Sequence, residues 1–405
     1  MSPGSLAPSV ALPTRRDEAW RYAPHRTLAE LTFAPPSADV VLPAGVLDSL
    51  PALDGPLVVV VNGVVDHAHS RLIGGDGGVT ITTAATADAE SATPGAVAGH
   101  DGARTPSDAF LWLNAEHAHD GAVIDIAPGA QVHTPIHVID VAVPGHTGHS
   151  GHTACARTVI RLGAGSTASV VETRVGVGTD LGGSNVRTMV TLADGATLDY
   201  VVVQDLPAAH VHLGRVDAEL AAGATLRSRS FNLGATYGRL EFHVALNGPQ
   251  AHVDLAGLYF GAGEQVLDQQ LAVVHAAPNC VSRQSFRGVL DDQSTGVFNG
   301  GIDVRRGADG TDAAQSNHNL LLSNQAEVNT QPRLEILADE VACTHGATVG
   351  QLDDTAMYYL RSRGIGADEA RRLLINGFAD QIVDEVRNPE VRAWISHRLG
   401  HDDHE

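Results

Sequence analysis

Cys343 and His345, in the run VACTHGATVGQ, are the residues of this chain best suited to chemistry. A thiolate and an imidazole are soft-to-borderline ligands, suited to zinc or to the iron of an iron–sulfur cluster. From Leu334 to His345 the residues read as one strand, with Leu334, Ile336, Val341 and Cys343 spaced for a buried or half-buried ribbon. Strand side chains alternate, so Cys343 and His345 project from one face and Thr344 from the other, and Gly346 breaks the pattern. A buried structural cysteine beside a histidine has the same appearance, because free cysteine is among the most buried residue types.

Other candidate groups carry less. His146, His149 and His152 recur every third residue in PGHTGHSGHTA and could take up zinc or nickel, but this Gly-rich loop has no regular backbone to fix ligand geometry. Cys155 and Cys280 lie in or beside strand-like segments and read as small buried thiols. The adjacent pairs Asp291-Asp292 and Asp353-Asp354 would diverge on a strand and cannot share a proton, so they read as turn and cap residues.

The elements that must position these groups are mostly short strands. From Gly121 to about Val341, Val/Ile/Leu-rich segments alternate with glycine turns at 129, 165, 195 and 223. No helix interrupts them, which rules against βαβ units and leaves a large sandwich or a parallel β-helix. The loose turn spacing and the scarcity of tight hairpin signals favour the β-helix. Of 405 residues, 18% are charged, 4% aromatic and 43 are Gly, which suits such a fold better than a helical bundle.

The expected organisation is an N-terminal mixed helical and α/β part (1–118), a parallel β-helix core (119–346) and a C-terminal helical part (347–405). In the first, RRDEAWRYAPHRTLAEL reads as a short amphipathic helix stopped near Pro24, and Leu57–Val61 with Asn62-Gly63 as a strand entering a hairpin. Residues 75–105 read as loop, and SDAFLWLNAEH as a helix capped by Ser107. In the last, Asp353 or Thr355 caps a helix that Gly364 and Gly366 end. Leu373, Leu374, Phe378, Ile382 and Val386 form one apolar stripe, and Asn388-Pro389 opens a final helix. The stripe can pack on the chain's own elements or dock a partner.

Charge and composition exclude several functions. The net charge of −21 argues against nucleic acid and anionic membranes as partners. All 26 basic residues are Arg, so there is no Walker A lysine for a nucleotide and no Schiff-base lysine. Three dispersed cysteines suit a reducing cytosol, MSPGSLAPSVALPT does not resemble a signal peptide, and Leu57–Val61 is too short to span a bilayer. A soluble cytoplasmic protein is expected.

QSNHNLLLS, QPRLEILADEVACTHGATVGQLD and YYLRSRGI resemble the C-terminal signature of the SufB/SufD family, the scaffold proteins of SUF-type iron–sulfur cluster assembly. LNAEHAHDGAVIDI and WRYAPHRTL resemble that family more weakly. The resemblance implies a right-handed parallel β-helix and a non-catalytic scaffold subunit, most like SufD in length and in its aromatic N-terminal motif. It implies pairing with a SufB-like paralogue through the β-helices and docking of a SufC-type ABC ATPase through the C-terminal helices. It also implies a transient nascent cluster at the shared interface, with His345 at the family's functional position and Cys343 matching the motif cysteine. A cluster usually takes four protein ligands, so one Cys and one His suit a half-site completed by a partner. CTHGATVGQLD is as close to SufB as to SufD, which keeps a self-pairing scaffold open. The alternatives are a structural partner without a ligand role and a carbohydrate-active β-helix enzyme. The second lacks the ladder of carboxylates that such sites need.

Overall fold

The structure, a computed structural model, describes residues 11–33, 41–84, 108–143 and 152–400. The N-terminal part contributes β1 (Thr32–Phe33), β2 (Leu57–Val61), β3 (Val64–Val65) and β4 (Val79–Thr83), with helices α1 (His25–Glu30) and α2 (Ala109–His117). The central strands begin with β5 (Gly121–Ile126), β6 (Ile136–Ala142), β7 (His152–Leu162), β8 (Thr167–Gly176), β9 (Gly182–Leu192) and β10 (Thr197–Asp205). They continue through β11 (His210–Leu220), β12 (Thr225–Asn232), β13 (Tyr237–Leu246), β14 (His252–Gly261) and β15 (Val266–His275). The last are β16 (Val281–Leu290), β17 (Thr295–Val304), β18 (Asp312–Leu321), β19 (Glu327–Ile336) and β20 (Ala342–Gly350). Helices α3 (Asp354–Ser362), α4 (Ala367–Val383) and α5 (Pro389–Arg398) follow.

From β5 onward, odd- and even-numbered strands separate into two sheets. One runs β19-β17-β15-β13-β11-β9-β7-β5-β4, and the other β20-β18-β16-β14-β12-β10-β8-β6-β2-β3. From β5 onward each strand pairs in parallel with the strand two places later, so the chain winds as a β-solenoid of about seven turns. The expected β-helix is therefore present, and strands β2 and β4 of the N-terminal part extend its two sheets. In-register stacking makes columns of like residues: Ala168, Leu198, Leu226 and Val253 lie over one another and are all buried. Each added coil buries another aliphatic layer, which is what holds a solenoid together.

The corner that closes each coil needs left-handed backbone. Gly129, Gly165, Gly195 and Gly223 supply it at φ 72°, 66°, 67° and 64°. Each donates its N–H to the next coil's corner, to the carbonyls of Ala164, Asp194, Ala222 and Pro249 respectively. Asn62 and Gly63, both at positive φ, form the expected turn between the antiparallel β2 and β3.

Several local expectations change. The N-terminal helix is two pieces, a 3-10 turn at Glu18–Trp20 and α1, because Pro24 starts the second helix instead of ending the first. Part of the expected 75–105 loop is strand β4, whose Val79 and Ile81 enter the core; Ser107 lies outside the described residues. The ribbon expected from Leu334 to His345 is two strands in different sheets: residues 337–341 turn a corner, with Glu340 at φ 52°. Gly346 does not end the strand, since β20 runs in register with β18 to Gly350. Asp353 caps α3 by accepting from the Thr355 N–H, and Asn388 caps α5 by accepting from that of Val391, both as expected.

The interior also holds charge. Glu172 and Arg174 on β8 pair at 2.7 Å, and Tyr200 and Thr188 donate their hydroxyls to the same carboxylate. Asp140, in register with Arg174, has no hydrogen-bond partner at either carboxylate oxygen. Burial, and secondarily the Glu172 charge, push its carboxyl up to about 7, against the opposing pull of Arg174. The folded carboxyl thus keeps its proton where the unfolded one has lost it. Its contribution to stability falls as pH rises from about 4 to about 7. Asp140→Asn is expected to remove that slope, gaining at most on the order of 4 kcal/mol over the parent above pH 7 and little near pH 4. Denaturant titrations across this range check it; a constant difference between the two proteins would be the wrong result.

Candidate functional site

Among the described residues, strand β20 pairs only with β18 and β19 only with β17, so both sheets end in the same coil. The inward positions of β20 follow from its register: Cys343 lies against Ala313, His345 against Gln315, Ala347 against Asn317 and Val349 against Asn319. On β18 those four positions are buried. On β20 the same positions are half-buried or exposed, because no further coil covers them. Cys343 and His345 therefore sit together on the inner face of the solenoid's open end, their Cα atoms about 6.6 Å apart by strand geometry.

The two side chains differ in setting. Cys343 is half-buried against Ile302, Val304, Ala308 and Ala313. Burial pushes its thiol up, the Asp312 carboxylate adds to this, and a backbone hydrogen bond at Ala313 opposes it. A free Cys343 is thus a protonated thiol at neutral pH, and a bound metal must displace that proton. His345 is exposed, and Leu334 of the facing sheet packs against the same apolar cluster as Cys343. Among the described residues, no group of three or more His, Cys, Asp and Glu gathers as a metal site.

The remaining candidates are placed elsewhere. Cys155 and Cys280 are buried free thiols, and Cys280 donates to the Gly248 carbonyl at 3.3 Å. His152 is buried at the start of β7, while His146 and His149 lie outside the described residues. Asp291 accepts from Arg371 at 3.1 Å beside a turn, and Asp353 is a helix cap.

Behind Cys343 and His345 lies a polar interior. The Gln315 Nε2 donates to Gln284 Oε1 at 2.6 Å, and Asn317 donates to the Tyr259 hydroxyl at 3.0 Å. Asn319 donates to Asn317 at 2.7 Å and accepts from the Tyr259 hydroxyl. Sequence reasoning overlooked these residues. Their signal was the alternation in QSNHN, which sets Gln315, Asn317 and Asn319 on one strand face.

The α4 stripe does not form one external surface. Ile382 and Val386 are buried against the outside of the even-numbered sheet, in a cluster with Val171, Val203, Phe231 and Val289. Leu374 and Phe378 are half-buried, with the Arg287 guanidinium 4.6 Å from the Phe378 ring centre, and only Leu373 is exposed. The expectation that Ile382 and Val386 contact a partner is therefore corrected: the solenoid already covers both. Ion pairs fasten this face, Glu385 to Arg229 at 2.7 Å and Arg387 to Asp199 at 2.8 Å. Further exposed apolar groups are on α3, which buries none of its residues and exposes Tyr358 at 76% and Tyr359 at 57%.

Residues 146–378, a span that includes Cys343 and His345, match the family model described as the SufBD core domain of SUF-system iron–sulfur cluster assembly. The chain belongs to the SufBD family. Its relatives include the iron–sulfur cluster assembly protein SufD of Escherichia coli, 30% identical over 96% of this chain and 89% of that protein. A SufBD family protein of Mycobacterium leprae is 33% identical over 73% of this chain and 76% of its own length. The SufD protein of Bacillus subtilis is 27% identical over 71% and 65%. This is thus an iron–sulfur cluster assembly protein of a scaffold-type family. Among the described residues no helix is long and apolar enough to cross a membrane.

The burial of the α4 stripe sets a stability test. Ile382→Ala is expected to cost about 2–5 kcal/mol as a core truncation. Leu373→Ala should stay within about 0.5 kcal/mol as a surface change. Equal losses for the two in denaturant unfolding would contradict the packing described.

Proposed function

We propose that this chain is a SufD-type scaffold subunit whose Cys343 and His345 form half of a site for a nascent iron–sulfur cluster, the other half coming from a SufB-like paralogue. The observation that carries this reading is an incomplete ligand pair on the inner face of an uncovered solenoid end. An edge strand such as β20 presents unpaired backbone groups that a second sheet can bond, so the same end offers an interface and a ligand set. The cluster is cargo here: an exposed imidazole beside a half-buried thiol, at a solenoid end that nothing covers, leaves the bound group within reach of a recipient. Histidine ligation also raises a cluster's potential relative to thiolate alone, which suits release.

Energy input belongs to another subunit, since a chain without lysine has no Walker A site. We assign ATPase docking to Tyr358 and Tyr359 of α3 with Leu373 of α4, which are exposed, and the half-buried Leu374 and Phe378 support them. A reducing cytoplasm suits three unpaired thiols. The presence of a thiol and an imidazole on one chain also suits a self-pairing scaffold, in which two copies of β20 would meet.

Anaerobic co-expression with SufB- and SufC-type proteins tests the reading. His345→Ala is expected to lower the iron and sulfide content of the purified complex severalfold while leaving assembly intact; unchanged content would refute the histidine role. If Cys343→Ser alone does nothing, the partner supplies the essential thiol. Replacing Tyr358 and Tyr359 by Ala should weaken ATPase capture about 30-fold or more, as loss of an anchor of about 2 kcal/mol predicts, without lowering the melting temperature. Undiminished capture would remove the docking assignment.

A further inference from the structure

We propose that Gln315 is a positioning residue that sets the tautomer and orientation of His345, with Gln284 holding it in place; this rests on the reading of His345 as a ligand. Gln284, Gln315 and His345 occupy one inward column on β16, β18 and β20, each in register with the next. Neighbouring strands in a sheet lie about 4.8 Å apart, so each side chain has the next beside it along the column. Gln315 is only 4% exposed, and its carboxamide is oriented from below by the 2.6 Å bond from its Nε2 to Gln284 Oε1. With the nitrogen committed there, the carbonyl oxygen is turned away from Gln284. That Oε1 is buried and has no hydrogen-bond partner.

A buried acceptor without a donor is costly, and the group next in the column is an imidazole that always carries at least one N–H. Rotation of the exposed His345 ring onto Gln315 would satisfy the acceptor. It would also fix one ring nitrogen as the proton carrier and leave the lone pair of the other free for a metal. Ligating histidines characteristically donate their second N–H to such an oxygen. Across the interior, Gly300 leaves the space that Gln315 occupies: a Cβ at Gly300 would collide with Gln315 Nε2. The exposed face of His345 and the buried carbonyl behind it thus form a ligand and its backing.

The test reads the tautomer in the metal-free chain by nitrogen-15 NMR of histidine-labelled protein at one fixed neutral pH. The His345 signals are identified by their loss in His345→Ala. The parent should show one proton-bearing and one lone-pair nitrogen, well separated. Gln315→Met should collapse them toward the average of two exchanging tautomers. Gln315→Glu, which keeps an accepting oxygen, should restore the separation. Should Gln315→Met fail to fold, Gln284→Met provides the same test, because it frees the Gln315 amide to rotate. A parent already averaged, or signals unmoved by these substitutions in folded protein, would overturn the proposal. Cluster content of the His345→Ala complex separates the two readings. If the tautomer responds to Gln315 but that content is unchanged, positioning stands and the ligand role falls. If content is lost while the tautomer ignores Gln315, the ligand role stands and positioning falls.

Discussion

Everything in this molecule depends on parallel stacking in register. Each strand from β5 onward bonds to the strand two places later, so a residue's direction, inward or outward, is inherited from the coil below. A shift of one residue would exchange the aliphatic columns of the interior for the outward set in every coil beyond it. The left-handed corners at Gly129, Gly165, Gly195 and Gly223 bond each coil to the next at the same place and thereby help to hold the register. Stacking has one unavoidable consequence: the last coil has inward residues with nothing above them.

That end is where chemistry becomes available. Inside the stack, the inward Glu172 is enclosed by Arg174, Tyr200 and Thr188, which all bond to its carboxylate. At the final coil the inward positions carry Cys343 and His345, and the coils just behind them carry Gln284, Gln315, Asn317 and Asn319. An interior of this kind would be a poor hydrophobic core. It does offer hydrogen-bonding groups already ordered by the sheet directly beneath the uncovered end.

The C-terminal helices obey a different division. Ile382 and Val386 seal α4 and its following turn against the outer face of the even-numbered sheet, and the ion pairs of Glu385 and Arg387 tie the rim of that contact. Surface ion pairs of this type contribute little stability each, so the buried aliphatics carry the attachment. α3 lies beyond the attachment, with both tyrosines in solvent. The C-terminal helices thus divide into a part committed to the solenoid and an α3 that is left exposed.

The sequence by itself determined what depends on neighbours along the chain. Period-two alternation placed Cys343 and His345 on one face, glycines marked the left-handed corners, and Asp353 and Asn388-Pro389 marked helix starts. The absence of lysine excluded a nucleotide site of the Walker type without any structure. Tertiary structure decided what depends on distant strands. An apolar run from Leu334 to Cys343 is locally the same whether it is one ribbon or two strands around a corner. Only pairing with β17 and β18 separates them. A helical stripe does not reveal which of its members meet a sheet, and the solenoid covers Ile382 and Val386 but not Leu373. The column of Gln284, Gln315 and His345 is likewise made only by strand pairing, its members about thirty residues apart in sequence and one strand spacing apart in space.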